Sequence, residues 1–116
     1  MRDYPKNIKR QLREHAGEAY EQELRRELAQ LEASFGEWRA GAITSGELTD
    51  RIHRYETGPA RELFKQYNQG DPDMNVAYAI VRGILNHDEI APEVLEAIER
   101  PLNFCRSLQE RGELKE

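Results

Sequence analysis

Residues 20–38, YEQELRRELAQLEASFGEW, decide the fold. Their large apolar side chains recur in steps of three and four, which places them on one narrow stripe of a helix. The six members of this stripe are Tyr20, Leu24, Leu28, Leu31, Phe35 and Trp38. The spacing predicts a helix that ends where the pattern stops, because Gly41 can take the left-handed conformation that closes a helix.

Upstream of this stripe, Ile8, Leu12 and Ala16 also recur at helical spacing, but on a different side of the helix. One straight helix therefore cannot bury both sets against the same partner. A continuous helix over residues 5–40 would be roughly 50 Å long, against a diameter of about 27 Å for a compact domain of this size. We expect the helix either to bend near Gly17 or to project and pair with a second copy.

The next helix has clear start and stop signals. Thr44 and Glu47 have the spacing of a capping box, so a helix is predicted to begin at Ser45. Gly58 and Pro59 interrupt it, because proline lacks a backbone donor and clashes with the preceding turn. A helical face resumes beyond this break.

Residues 74–85 are almost entirely apolar, which is typical of a helix enclosed by other helices. Their β-branched content also allows a strand, but the length and the preceding Pro72 favour a helix. A last helix is predicted to start at Pro92 and to kink at Pro101. The sequence therefore predicts an all-α fold, a small antiparallel helical bundle of four to five helices with a long or kinked amphipathic first helix.

The composition limits the domain organisation and the partners. The 116 residues predict one domain, with a basic N-terminal arm at residues 1–16 and a frayed tail at 109–116. A net charge of −5 argues against coating nucleic acid with the whole surface. The lone Cys105 excludes an intrachain disulfide, and we interpret it as a small core residue. No apolar run is long enough for a membrane span, so we expect a cytoplasmic protein with no membrane partner.

Basic residues of the N-terminal arm form the most distinctive surface feature. This basic stripe consists of Arg2, Lys6, Lys9, Arg10 and Arg13. It lies opposite Ile8 and Leu12 and would dock an anion: a nucleic-acid phosphate, an acidic protein or an acidic patch of a second copy. Alternatively, it is a solvated face paired with carboxylates such as Glu14. Among the aromatic residues, which fall mainly on faces predicted to be buried, only Tyr4 is expected to be free for a partner.

Asp50, His53 and Glu56 share a face of the second helix at the i, i+3 spacing by which helical bundles hold metal ions. His15 and Glu18 form a similar pair on the first helix. Known dinuclear bundle sites use Glu-x-x-His on two helices and a further Glu from each of two others, and this chain departs from that pattern. We therefore interpret these groups as surface salt bridges and assign no metal, no cofactor and no catalytic residue.

Arg10 and His15, with the polar Gln11 after the arginine, are similar in spacing to the R-x4-H motif of HEPN-type helical ribonucleases. The resemblance covers only these residues, and it implies attack on an RNA phosphate. In that family the motif ordinarily lies late in the domain and works across a dimer, whereas here it lies near the start of the chain.

These observations lead to three hypotheses about function. The first is a non-enzymatic, homodimeric protein-interaction module, such as an adaptor, an inhibitor or antitoxin-like binder, or a regulatory subunit. Its amphipathic first helix would face the partner, including a second copy. The second is a nucleic-acid-binding regulator that uses the basic stripe, although no helix-turn-helix element is evident. The third is a small helical enzyme, either a ribonuclease or a metal enzyme.

Overall fold

The computed structural model describes residues 3–114, which contain helices and turns but no strand. This confirms the predicted all-α helical bundle with a long first helix. The helices are α1 (Lys6–Arg39), α2 (Ser45–Thr57), α3 (Pro59–Gln69), α4 (Pro72–Val81), α5 (Pro92–Ala97) and α6 (Glu99–Glu110), with a short 3₁₀ turn at His87–Glu89.

Helix α1 runs without interruption through Gly17. Its 34 residues correspond to about 51 Å at 1.5 Å per residue, and the molecule is 53 Å long in its largest dimension. The radius of gyration is 17.2 Å, where a compact domain of this size has about 13 Å. Of the two predicted alternatives, the structure therefore has the projecting helix and not the bend.

The apolar core lies at one end of the molecule. Helix α4 is its centre, as predicted, and packs against α6 and the first part of α1. We call residues 6–19 of α1 together with residues 72–110, which contain α4, α5 and α6, the core half. Its buried apolar residues are Ile8, Leu12, Ala16, Ala19, Val76, Ala77, Ala79, Ile80, Ile84, Leu85, Ile90, Val94, Ile98, Leu102 and Cys105.

The other end of the molecule has almost no core. We call residues 20–39 of α1 together with α2 and α3 the outer half. Its one buried apolar side chain is Leu48, and α3 has no buried residue. No member of the apolar stripe of α1 is buried, and Leu28 and Trp38 are 47% and 40% exposed. The outer half is thus a thin layer of three helices with apolar side chains at its surface.

The predicted signals around α2 are confirmed. The Thr44 hydroxyl accepts a hydrogen bond from the Glu47 backbone N–H at 3.1 Å, and α2 begins at Ser45. Helix α2 ends before Gly58, and α3 begins at Pro59, where a missing backbone donor costs nothing. These two helices form one interrupted rod along the outer half of α1.

Helix α4 ends at Val81, earlier than the predicted end at residue 85. The reason is Gly83, whose φ of +79° is a left-handed conformation that stops a helix. Ile84 and Leu85 are nevertheless buried, because the chain folds back onto the core after the turn. These two residues are therefore apolar because they are buried, although they are not part of a helix.

The last predicted helix is divided at Ile98 and not at Pro101. The ring of a proline clashes with the carbonyl four residues earlier, so the interruption lies upstream of Pro101, which itself sits in the first turn of α6. Helix α6 continues to Glu110, inside the predicted tail, and residues 115–116 lie outside the described part of the chain.

Candidate protein-interaction surface

A buried ion pair joins the core half to the outer half. Glu23 accepts hydrogen bonds from the Arg82 guanidinium at 2.7 Å and from the Tyr67 hydroxyl at 2.5 Å. The side chains of Arg82 and Glu23 are only 10% and 11% exposed. This one carboxylate of α1 therefore binds both Tyr67 of α3 and Arg82, which directly follows α4.

The ionisation of this cluster follows from its burial and its charges. Burial lowers the pKa of Arg82, but the hydrogen bond and the charge of Glu23 outweigh it, and the net shift is upward. Burial raises the pKa of Tyr67, and the hydrogen bond to Glu23 raises it further. The guanidinium also stacks 4.0 Å from the centre of the Tyr78 ring. The Arg82 guanidinium therefore keeps its charge when buried.

Arg82 is not fully satisfied by these contacts. Its Nε and Nη2 groups are buried and have no hydrogen-bond partner within residues 3–114. A buried unpaired donor costs about 1–3 kcal/mol, and a buried ion pair is weak evidence for stability. The ion pair between the two halves therefore fixes how they are arranged. Its formation, however, removes the charged groups from water at a cost in free energy.

Helix α2 is also fastened to α1 by polar contacts. Arg51 donates hydrogen bonds to Glu37 at 2.5 Å, to the Ser34 hydroxyl at 3.1 Å and to Glu47 at 3.2 Å. The hydrogen bond to Glu37 is the main cause of the raised pKa of Arg51. Ser34 and Glu37 occupy the face of α1 that carries Ile8 and Leu12 in the core half. The inner face of α1 thus changes from apolar to polar along its length.

The apolar stripe of α1 lies roughly 100° around the helix from these polar contacts. Helices α2 and α3 lie along one edge of the stripe, where the rings of Tyr20 and Tyr67 stack with centres 5.1 Å apart. At the other edge, a shallow cavity of about 280 Å³ is lined by Glu21, Arg25, Leu28, Ala29 and Glu32. The result is an exposed apolar surface with a charged rim, an arrangement that marks protein-interaction sites.

The basic stripe continues the same face of α1 toward the N-terminus. Two of its members are already paired: Arg10 lies 3.0 Å from Glu14, and Lys9 lies 3.6 Å from Asp3. Lys6 and Arg13 are exposed, and Arg2 lies outside the described residues. This face of α1, roughly 100° around the helix from the core-facing side, is therefore basic before Gly17 and apolar after it.

The expectation that Tyr4 is free for a partner is wrong. Its hydroxyl donates a hydrogen bond to Asp73 at 3.0 Å, and its ring packs against the core. The expectation that the other aromatic side chains are buried is wrong for Trp38 and also for Phe64 and Phe104, which are 55% and 52% exposed.

Asp50, His53 and Glu56 are all exposed on the outer side of α2. Across residues 3–114, no three His, Cys, Asp or Glu side chains are grouped so as to hold a metal ion. His15 lies 3.2 Å from Glu18 as a surface pair. The structure therefore places the candidate metal ligands at the surface without bringing them to other ligands.

Arg10 and His15, the residues similar to the ribonuclease motif, are on different sides of α1. Five residues along a helix correspond to a rotation of about 140°. Arg10 donates its hydrogen bonds to Asn7 and Glu14, whereas His15 contacts Glu18. Within one chain, these two side chains are not aimed at a common point.

The sequence reasoning missed four residues that hold the helices together: Glu23 and Arg82, which join the two halves, and Arg51 and Tyr67, which fasten α2 and α3 to α1 within the outer half. A signal for Glu23 existed, because it continues the buried face of Ile8, Leu12, Ala16 and Ala19 in steps of three and four. An acid on such a face requires a buried partner. Arg82, the one charged residue within the apolar 74–85 segment, was a second signal of a buried ion pair.

Cys105 is buried in the core as predicted, and burial raises the pKa of its thiol. No helix within residues 3–114 is both long and apolar enough to cross a membrane. No protein-family model, curated protein or solved structure matches the chain.

Proposed function

We propose that the protein is a non-enzymatic protein-interaction module that binds its partner through the apolar stripe of α1. An adaptor, an inhibitory or antitoxin-like binder or a regulatory subunit would each fit this mode of binding. The observation that carries the proposal is the contrast within the outer half, where Leu48 is the one buried apolar side chain while Leu28, Trp38 and Phe64 stay exposed. The lone, buried Cys105 supports a reducing compartment, and we place the protein in the cytoplasm.

Burial of the stripe supplies the driving force for binding. Each Å² of apolar surface removed from water contributes about 25 cal/mol, and large apolar anchors surrounded by polar residues dominate interface energies. In the stripe, Leu28 and Trp38 are such anchors, and Glu21, Arg25 and Glu32 supply the rim. Because α1 is held in place by the core half, this surface is preorganised and little ordering entropy is lost on binding.

Photo-cross-linking tests this proposal. A photoreactive benzoylphenylalanine replaces Leu28 in cells that make the protein, and a second variant carries it at Phe104, which is equally exposed on α6 but outside the stripe. We expect a discrete cross-linked polypeptide, either a second copy or another protein, from position 28 and not from position 104. Equal cross-linking at the two positions, or none at position 28, contradicts the proposal.

The basic stripe supports a second candidate function, nucleic-acid binding, because Lys6 and Arg13 are exposed on one face of α1. Phosphate contacts make affinity fall steeply with salt, whereas an apolar protein interface responds weakly. Binding of a fluorescent RNA or DNA oligonucleotide is measured at about 50 and 200 mM salt. If Lys6 and Arg13 contact phosphates, the variant with both changed to Gln shows weaker binding and a smaller salt slope. Binding that both changes leave unaltered excludes this role of the stripe.

A further inference from the structure

The apolar stripe of α1 is nearly symmetric about its own centre. Taken outward from a point near Ala29, its residues fall into three pairs at similar distances on either side: Leu28 with Leu31, Leu24 with Phe35, and Tyr20 with Trp38. Each pair lies within about one residue, or 1.5 Å, of perfect symmetry. A symmetric row of this kind fits a copy of itself that runs in the opposite direction.

The exposed charges beside the stripe have the same centre. Glu21, Arg25, Glu32 and Arg39 lie along the edge away from α2 and α3, in the order negative, positive, negative, positive. Reversal of the helix turns this order into positive, negative, positive, negative. A reversed copy therefore presents the opposite charge at each of the four places.

From these two patterns we propose that two copies of the chain associate by antiparallel pairing of their α1 helices over residues 20–38. In such a pair the two-fold axis is perpendicular to the helices and passes near Ala29. Leu28 of one copy then lies opposite Leu31 of the other, and Leu24 lies opposite Phe35. This inference names the partner for the interaction surface and rests on the proposed function.

The same axis decides which charged edges meet. A perpendicular two-fold axis brings each edge of the stripe next to the same edge of the other copy, so Arg25 faces Glu32 and Glu21 faces Arg39 within reach of their long side chains. Parallel pairing would instead place the charged edge of one copy next to the other edge of the second copy's stripe, where α2 and α3 lie. Edge charges of this kind select orientation in paired helices, and here they select the antiparallel one.

Sedimentation velocity over a wide range of protein concentrations tests association. We expect the wild type to shift from monomer to dimer as the concentration rises. Leu28→Glu is expected to raise the dissociation constant on the order of a hundredfold, because two copies of the central leucine are lost from the interface. Phe104→Glu, at an equally exposed residue outside the stripe, is expected to leave it unchanged. A wild type that stays monomeric, or equal effects of both variants, overturns the inference.

A charge exchange tests the orientation. Arg25→Glu and Glu32→Arg should each raise the dissociation constant about tenfold, because each places like charges opposite one another twice in the dimer. The variant that carries both changes restores the opposite charges and should return to near the wild-type constant. If the double variant is as weak as the single ones or weaker, the antiparallel register is wrong. Circular dichroism of each variant at low concentration checks that the monomer remains folded.

These results separate this inference from the proposed function. If the wild type remains monomeric while position 28 cross-links to a different polypeptide, the self-pairing fails and the interaction module stands. If the wild type is monomeric and position 28 cross-links to nothing, both fail.

Discussion

The core half and the outer half share helix α1 but are held together by different forces. In the core half the inner face of α1 carries Ile8 and Leu12, which pack into a closed apolar cluster. In the outer half the same face carries Glu23, Ser34 and Glu37, which bind arginines. Apolar side chains there are turned to another face and remain at the surface. One continuous helix thus packs into the core in its first part and, in its second part, carries the apolar stripe that we propose as the binding surface.

The largest effect is expected at the junction between the halves. Glu23→Ala leaves the Arg82 guanidinium buried without its counter-ion, which costs about 3–5 kcal/mol. Glu21→Ala, at an exposed carboxylate two positions earlier on α1, should cost less than about 0.5 kcal/mol. The free energy of unfolding in urea measures both. Similar losses for the two variants would show that the buried ion pair does not join the halves.

The next largest effect contrasts the two apolar faces of α1. Leu12→Ala removes a fully buried side chain and should lower the free energy of unfolding by about 2–5 kcal/mol. Leu28→Ala removes a half-exposed one and should change the free energy of the monomer by less than about 0.5 kcal/mol. Urea unfolding at low protein concentration measures the difference. Equal losses would mean that the stripe is already covered within the monomer.

High pH is expected to weaken the junction through Tyr67. The pKa of this hydroxyl is raised above its ordinary value of about 10, so above pH 10 the unfolded chain releases a proton that the folded chain retains. Stability is therefore fully present below pH 10 and falls above it, by about 1.4 kcal/mol per pH unit at most. Unfolding of the wild type and of Tyr67→Phe is compared from pH 9 to 11. If the stability of the two proteins changed with pH in the same way, Tyr67 would hold its proton no more tightly in the folded state than in the unfolded state.

Most of the fold could be predicted from the sequence because its signals are local. The capping box at Thr44, the break at Gly58 and Pro59, and the apolar α4 segment each depend on residues a few positions apart. The end of α4 was missed because apolar residues continue past Gly83 and are buried without being helical. Local sequence patterns therefore predict where the helices lie more accurately than where they end.

The site was only partly predictable, since its key contacts are distant in sequence. Glu23 and Arg82 are 59 positions apart, and nothing in the spacing of either residue identifies the other. The apolar stripe was recognised from its period, but periodicity does not say whether a face is covered. Only the placement of α2 and α3 along one edge shows that Leu28 is left at the surface.

The smallest effects are expected at two glycines, one in each half. A Cβ atom at Gly17 or Gly36 would meet nothing within 4 Å, so alanine at either should stabilise the helix by about 0.5–1 kcal/mol. For Gly17→Ala we expect slower hydrogen exchange in the core half and for Gly36→Ala slower exchange in the outer half only. Slower exchange throughout the chain for both variants would show that the halves unfold as one unit.

Hydrogen exchange of the wild type at low and high protein concentration tests the central claim most directly. If the outer half lacks its own core and is completed by pairing, amides of α2 and of residues 20–39 in α1 exchange faster than those of α4 at low concentration. Their protection then rises with concentration, while that of α4 changes little. Equal protection of the two halves at every concentration would contradict the account.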